Sequence, residues 1–192
     1  MAKYLGKIKT SVFISGRGSN LNNLIKFSKK KSSPIKIVNV ISSNKKAKGL
    51  NYAKKNKIPF FISSFDNKLK SDKEIIQILK KLKVKLICLA GYMKILSPYF
   101  IKKFNNPILN IHPSLLPKYK GLNTHLRALN NKDKFSGATV HLVNSKIDSG
   151  KIILQKKVRI SKNDSEETLE KKVLNVEYKI YPKAITKFYS SL

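Results

Sequence analysis

The residues best suited to chemistry are Asn110 and His112, two positions apart in a short apolar strand that Pro113 and Pro117 follow. Alternate residues of a strand point to the same face, so the amide and the imidazole are presented side by side. A hydrogen-bond donor beside a titratable ring suits a reaction that develops negative charge on a carbonyl oxygen. The pair therefore predicts acyl or formyl transfer at the carboxyl end of this strand.

A glycine-containing loop, residues 15–21, precedes the first predicted helix. Gly16 and Gly18 let the backbone approach a ligand, and the helix amino terminus offers N–H groups to an anion. The loop lacks the Gly-Lys-Ser/Thr ending of a P-loop and the third glycine of a dinucleotide fingerprint. It therefore favours a monophosphate ligand, with an ordinary glycine turn capped by Ser19 as the alternative.

Asp148 is the candidate carboxylate, in a Lys-Ile-Asp-Ser-Gly loop at residues 146–150. Aspartate in such a loop is usually a turn residue. However, an opposite charge near His112 would favour the imidazolium, and the chain has only ten acidic residues. Of the other two histidines, His141 lies in an alternating strand and is predicted to be a structural sheet residue. His125 lies in a loop or first helical turn and could line the site.

The elements that must position these residues alternate between strands and helices. Strands are predicted at 11–15, 35–41, 59–62, 86–90 and 108–111, and helices at 20–30, 46–55, 72–83 and 98–104. This alternation predicts an α/β fold, with a mostly parallel central sheet and helices on both faces. Ligands of such sheets bind beyond the carboxyl ends of the strands, where the candidate residues fall.

The second half of the chain changes character. Strands at 137–143 and 151–160 are joined by a short loop, which predicts antiparallel additions to the sheet. A closing helix is predicted to begin near Ser165 and to run through Tyr181, where Pro182 should bend or restart it. With 192 residues and no internal repeat, we expect a single domain spanning residues 1–192.

The net charge of +31 could indicate a nucleic-acid partner. Nearly all of this charge is lysine, however, and the only arginines are Arg17, Arg127 and Arg159. Base reading and phosphate clamps favour arginine, so a solvated lysine surface without specific nucleic-acid binding is predicted. The absence of a long apolar run and of a cleavage site predicts a cytoplasmic protein without membrane contact. No cysteine and histidine cluster has metal-ligand spacing, and we expect no metal.

Residues 109–119, together with Gly121, resemble the formyl-transfer signature of the folate-dependent formyltransferases. Residues 89–98 are similar to a second segment of these proteins, and the similarity extends from about Val12 to Pro182. The resemblance implies a Rossmann-like formyltransferase fold. It also implies transfer of a formyl group from 10-formyltetrahydrofolate to the primary amine of glycinamide ribonucleotide, in purine biosynthesis. The partners would be these small molecules, and the chain a monomer or a homodimer.

The resemblance also implies roles for individual residues. Asn110, His112 and Asp148 match the catalytic positions, at which Asp148 keeps His112 charged and orders a water. The implied ribonucleotide contacts are Gly18, Ser19 and Asn20 for the phosphate and Glu177 for the amine. The implied folate contacts are Lys68, Met93, Lys94, Ile95, Leu96 and Asn110.

The chain departs from the family pattern at three positions: Lys68 stands where arginine is usual, Leu174 where glutamine is frequent, and Asn123 where histidine is common. Three other functions stay open. A methionyl-tRNA formyltransferase would give the basic charge a purpose, but it needs a further domain. A nonenzymatic nucleic-acid-binding protein would not require His112. A formyltetrahydrofolate hydrolase usually carries an extra regulatory domain.

Overall fold

A computed structural model describes residues 6–63 and 68–191. Within these ranges, seven strands form one sheet in the order β3-β2-β1-β4-β5-β6-β7, with helices around it. The elements in chain order are β1 (Ile8–Ile14), α1 (Ser19–Ser28), β2 (Ile35–Ser42), α2 (Leu50–Lys55), β3 (Phe60–Ile62), α3 (Lys68–Lys81), β4 (Leu86–Leu89), α4 (Pro98–Phe104), β5 (Ile108–His112), α5 (Thr124–Asn130), β6 (Phe135–Leu142), β7 (Ile152–Arg159) and α6 (Glu166–Ser190).

The predicted α/β class is confirmed. β1 pairs in parallel with both β2 and β4, and β2 pairs in parallel with β3. β6 and β7 are antiparallel, as the short connection between them predicts. The chain divides into two compact units, Met1–Leu109 and Asn110–Leu192. The single domain over residues 1–192 stays a prediction.

The core of the first unit is built around β1. Val12, Phe13 and Ile14 are fully buried, as expected for a strand of a parallel sheet covered on both faces. The ring of Phe13 packs edge-on against the rings of Tyr92 and Phe100. Helix α1 contributes Leu21, Leu24 and Ile25, at the i, i+3 and i+4 spacing that places apolar side chains on one helix face.

Helix α6 is the longest helix among the described residues of the second unit. We expected Pro182 to bend or restart it; α6 continues through the proline to Ser190, so it does not restart there. A proline inside a helix costs about 3 kcal/mol. Tyr181, Ala184 and Ile185, on either side of it, are fully buried, and burying one large apolar side chain contributes about 1.5–3 kcal/mol. Tertiary packing therefore outweighs the local preference of the proline.

The start of α6 is fixed by a capping box, close to the predicted position. The Ser165 hydroxyl accepts a hydrogen bond from the Thr168 N–H at 3.2 Å, and the Thr168 hydroxyl accepts one from the Ser165 N–H at 2.9 Å. We expect Ser165→Ala to lower the free energy of unfolding by about 1 kcal/mol, because a helix N–H loses its acceptor. Urea denaturation measures this loss, and Ser190→Ala at the other end of the helix is the control. An unchanged urea midpoint for Ser165→Ala would contradict the role of the cap.

Two short helices differ from the sequence-based prediction. Around His125 the sequence left open a loop or a first helical turn; the structure forms α5 there, a helix of seven residues whose N-cap Asn123 makes no side-chain cap. α2 was predicted over 46–55 but is limited to Leu50–Lys55. None of the helices in the described ranges is long and apolar enough to cross a membrane.

Candidate active site

The side chain of Asp148 is the centre of a polar cluster in the second unit. Its Oδ2 accepts a hydrogen bond from the Gly121 N–H at 2.9 Å and lies 3.4 Å from His112 Nδ1. Its Oδ1 lies 3.4 Å from Asn110 Nδ2 and 3.5 Å from His141 Nε2. The structure thus brings together the three residues predicted to be catalytic. The backbone of Asp148 has a positive φ of 44°, so the residue is also the turn residue that its loop sequence indicates.

His112 lies at the end of β5 and is 5% exposed. Its Nε2 lies 2.8 Å from the Tyr119 carbonyl, which only accepts, so this nitrogen carries a proton. Burial lowers the pKa of His112 below its usual value, and the Tyr119 carbonyl and the Asp148 charge only partly offset this effect. Asp148 therefore favours the imidazolium as expected, but burial has the larger effect. That Asp148 keeps His112 charged during the reaction stays a prediction.

His141 has a larger part in the cluster than the sequence indicates. Its Nδ1 donates to the Leu142 carbonyl at 2.8 Å, which leaves Nε2 of the neutral ring as an acceptor. Asn110 Nδ2 donates to this Nε2 at 3.2 Å. His141 is thus hydrogen-bonded within the sheet, as predicted for a structural histidine. It also orients the side chain of Asn110, which was not predicted. The register between β6 and β7 shifts at Val140/His141, and such irregularities frequently re-aim side chains beside active sites.

The carboxyl group of Asp148 is held ionised by its neighbours. Burial raises its pKa, but the contact with the His141 ring, the hydrogen bond from the Gly121 N–H and the nearby His112 bring the pKa below its usual value. Asp148 is therefore a fixed negative charge over the neutral pH range. It can orient two donors, or a water, without taking up a proton itself.

Glu177 and His125 are the other candidates in this unit. Glu177 lies on α6 and is only 7% exposed, which is unusual for a carboxylate in such a lysine-rich chain. His125, in the first turn of α5, is half-buried, and its Nδ1 has no hydrogen-bond partner among the described residues. Burial lowers the pKa of His125, Glu170 and Glu166 raise it, and the charge of His112 lowers it further.

The glycine-containing loop of the first unit follows β1, as predicted. Gly18 has a positive φ of 74°, and a Cβ there would lie 2.3 Å from the Gly49 Cα. A glycine is thus required by backbone packing alone. Helix α1 begins at Ser19, with no side-chain cap on its first turn. The N-cap position is Gly18 and Ser19 is already the first helical residue, so the alternative in which Ser19 caps the helix is wrong.

Residues 91–97 follow β4 and present apolar side chains to solvent. Met93 is 68% exposed and Ile95 60%, whereas Leu96 is buried and Tyr92 packs on Phe13. The Met93 N–H donates to the Ser15 hydroxyl at 2.8 Å. The segment thus packs inward at Tyr92 and Leu96, and the side chains of Met93 and Ile95 between them are exposed. Lys68 is exposed at the first residue of α3.

Backbone groups are the part of the cluster that residue types could not reveal. The Gly121 N–H and the Tyr119 carbonyl contact Asp148 and His112 directly. Both glycine and tyrosine here have positive φ values, of 78° and 55°. The glycine after a proline-containing loop was the only sequence signal for this turn.

An α/β sheet that holds an amide, an imidazole and a carboxylate together at the end of a strand defines a class of protein suited to carbonyl chemistry. The Formyl transferase family matches residues 8–185, and the chain belongs to this family.

The chain is 48% identical to the phosphoribosylglycinamide formyltransferase of Haemophilus influenzae, over 94% of this chain and 86% of that protein. It is 40% identical to the protein of the same name from Escherichia coli, over 92% and 85% of the two chains. The crystal structure of phosphoribosylglycinamide formyltransferase from Brucella melitensis superposes with a TM-score of 0.90 at 41% identity, over 95% of this chain and 96% of that one.

Proposed function

We propose that this chain transfers the formyl group of 10-formyltetrahydrofolate to the primary amine of glycinamide ribonucleotide. The observation that carries the proposal is the cluster of Asn110, His112 and Asp148, found in a chain of the Formyl transferase family. Similarity to phosphoribosylglycinamide formyltransferases over nearly the full length of the chain supports this acceptor. The proposed partners are thus two small molecules, and the chain uses no metal.

The reaction exchanges one carbon–nitrogen bond for another. The amine nitrogen attacks the formyl carbon, and negative charge develops on the formyl oxygen. The bond from the formyl carbon to the folate nitrogen then breaks, and the proton lost by the amine goes to that leaving nitrogen. No electron is gained or lost, and the products are the formylated ribonucleotide and tetrahydrofolate.

Asn110 is the proposed hydrogen-bond donor to the developing oxyanion, and protonated His112 is proposed to stabilise it. In the structure, both contacts of Asn110 Nδ2 are to protein atoms, His141 Nε2 at 3.2 Å and Asp148 Oδ1 at 3.4 Å. The longer of these is the weaker, so we propose that Asn110 exchanges it for the formyl oxygen while His141 holds the amide in place. Protonated His112 adds a positive charge that is needed only as the oxyanion forms.

Asp148 has two proposed tasks. Its negative charge favours the imidazolium form of His112, although burial acts against it. Its second task is to order a water that carries the proton from the amine to the leaving nitrogen. A carboxylate with a pKa below its usual value suits both tasks, because it keeps its charge throughout.

The ribonucleotide phosphate is proposed to bind at Gly18, Ser19 and Asn20. The start of α1 offers N–H groups and the positive end of the helix dipole, and the Ser19 hydroxyl is proposed as a further donor. Glu177 is proposed to bind the glycinamide amine, since a buried carboxylate suits a single cationic or polar ligand. Leu174 stands where the family pattern frequently has glutamine, and we propose no other residue for that polar contact.

Formyl folate is proposed to contact residues 93–96 and Asn110. The exposed apolar side chains of Met93 and Ile95 can cover a flat ring, and the backbone of Lys94 and Leu96 can pair with its polar edge. Lys68 supplies a charge for the glutamate tail of the folate. A lysine keeps the attraction but not the bidentate geometry of an arginine.

We expect Ser19→Ala to raise the KM for glycinamide ribonucleotide about tenfold, because a phosphate loses a hydroxyl donor worth about 1.5 kcal/mol. The KM for formyl folate should stay within twofold. Steady-state kinetics with each substrate varied in turn measures both constants. Ser28→Ala, in the last turn of the same helix, is the matched control. A change confined to the folate constant would contradict the proposed phosphate site.

The acceptor itself is tested by comparing two amines, glycinamide ribonucleotide and methionyl initiator tRNA, in a formyl-transfer assay. We expect formylation of the ribonucleotide alone. Formylation of only the tRNA would mean that the chain acts on methionyl initiator tRNA. The lysine-rich surface would then serve to bind that tRNA. The cytoplasmic location and the choice between monomer and homodimer stay predictions.

A further inference from the structure

Ser15, the residue that follows β1, uses each of its polar atoms to contact another loop. Its N–H donates to the Gly91 carbonyl at 3.0 Å, and its carbonyl accepts from Asn44 Nδ2 at 3.4 Å. Its hydroxyl accepts from the Met93 N–H at 2.8 Å and lies 2.6 Å from the Ser43 hydroxyl. Three segments that are far apart in sequence therefore meet at one serine.

The topology of the first unit explains this position. β1 pairs in parallel with β2 on one side and with β4 on the other, so the carboxyl ends of all three strands lie at the same edge. Ser43 and Asn44 belong to the loop after β2, and Gly91 and Met93 to the segment after β4. Ser15 itself begins the loop that contains Gly18 and Ser19. Ser15 therefore connects the loop after β2 and the segment after β4 with the loop after β1.

The contact with Met93 matters because the middle of its segment is not held by burial. Met93 and Ile95 expose more than half of their side chains, whereas Tyr92 and Leu96 pack inward. Between these two anchors, the hydrogen bond from the Met93 N–H to Ser15 fixes where the exposed backbone lies. Ser15 therefore holds the Met93 N–H at the start of residues 93–96.

We propose that Ser15 is a positioning residue that couples the binding of the two substrates. The inference rests on the proposed function, which places the ribonucleotide phosphate at residues 18–20 and the folate at residues 93–96. A phosphate bound in the loop fixes Ser15, and Ser15 fixes the backbone that contacts the folate. Each substrate then raises the affinity for the other by the same factor, as linkage requires.

The test measures the Kd of tetrahydrofolate, which lacks the formyl group and cannot react, by calorimetry with the full chain. The ratio of this Kd without and with saturating glycinamide ribonucleotide is the coupling factor. We expect a factor of about 5 or more for the unmodified chain, the usual range for coupled sites. Ser15→Ala should bring the factor to within twofold of one. Ser15→Thr, which keeps the hydroxyl, should restore it.

Ser43→Ala is the matched control, because it removes the other hydroxyl at Ser15 but leaves the Met93 bond. It should keep the coupling factor of the unmodified chain. If Ser15→Ala does not fold, Met93→Pro removes the same hydrogen bond from its donor side and should abolish the coupling. A factor of one in the unmodified chain, or an unchanged factor in Ser15→Ala, would overturn the inference. A chain that transfers no formyl group would instead overturn the proposed function.

Discussion

His112→Ala is expected to lower kcat by a factor of about 10² to 10³, the usual effect of removing an oxyanion donor. Its contact with the formyl oxygen strengthens only as charge develops, so the affinity for glycinamide ribonucleotide should change little. Steady-state kinetics gives the first quantity, and calorimetry with the ribonucleotide alone gives the second.

Because the ring of His112 is buried, its removal can also destabilise the chain. His112→Asn keeps a polar side chain at the same place but cannot carry the positive charge, and we expect a similar loss of turnover. Urea denaturation shows whether each variant is folded. More than a third of the original kcat in either folded variant would exclude His112 from the chemistry.

Asp148→Asn is expected to lower kcat/KM on the order of 10²-fold, as loss of acid–base assistance usually does. It should also change the pH profile. The imidazolium of His112 is populated below its pKa, so kcat/KM falls as pH rises through that value, which burial already places below the usual one. The Asp148 charge raises this pKa. Its removal should lower the pKa further, and the decline in kcat/KM should begin at lower pH.

Glu167→Gln is the control for this shift, because Glu167 is an exposed carboxylate of the same unit that pairs with the exposed Lys171. Its pH profile should match that of the unmodified chain. If the profile of Asp148→Asn also keeps its high-pH limb in place, Asp148 does not govern the protonation of His112.

The alternation of apolar strands and helices was enough to predict the sheet, and the spacing of Asn110 and His112 was enough to predict that they lie close together. The end of α6 could not be predicted in this way, since the burial of Tyr181 and Ile185 decides whether Pro182 is tolerated. Local preference favours a break there, and only tertiary packing opposes it.

The cluster around Asp148 shows a second limit of prediction from the sequence. A single Asp-Ser-Gly loop is compatible with a simple turn, and the resemblance to a family was needed to select Asp148. Gly121 and Tyr119 contact the cluster through backbone groups. Almost every residue type carries these groups, so the sequence does not mark such contacts. His141 was predicted to be structural because its strand alternates regularly, whereas its contact with Asn110 depends on which strand face it occupies.

The central claim is tested most directly by following an isotope-labelled formyl group from 10-formyltetrahydrofolate. We predict that the label appears on the amine of glycinamide ribonucleotide, one per tetrahydrofolate released, and that His112→Ala loses most of this transfer. Label recovered as formate would mean that water is the acceptor and that the chain is a hydrolase. Release of neither labelled product by the folded chain would contradict formyl transfer altogether.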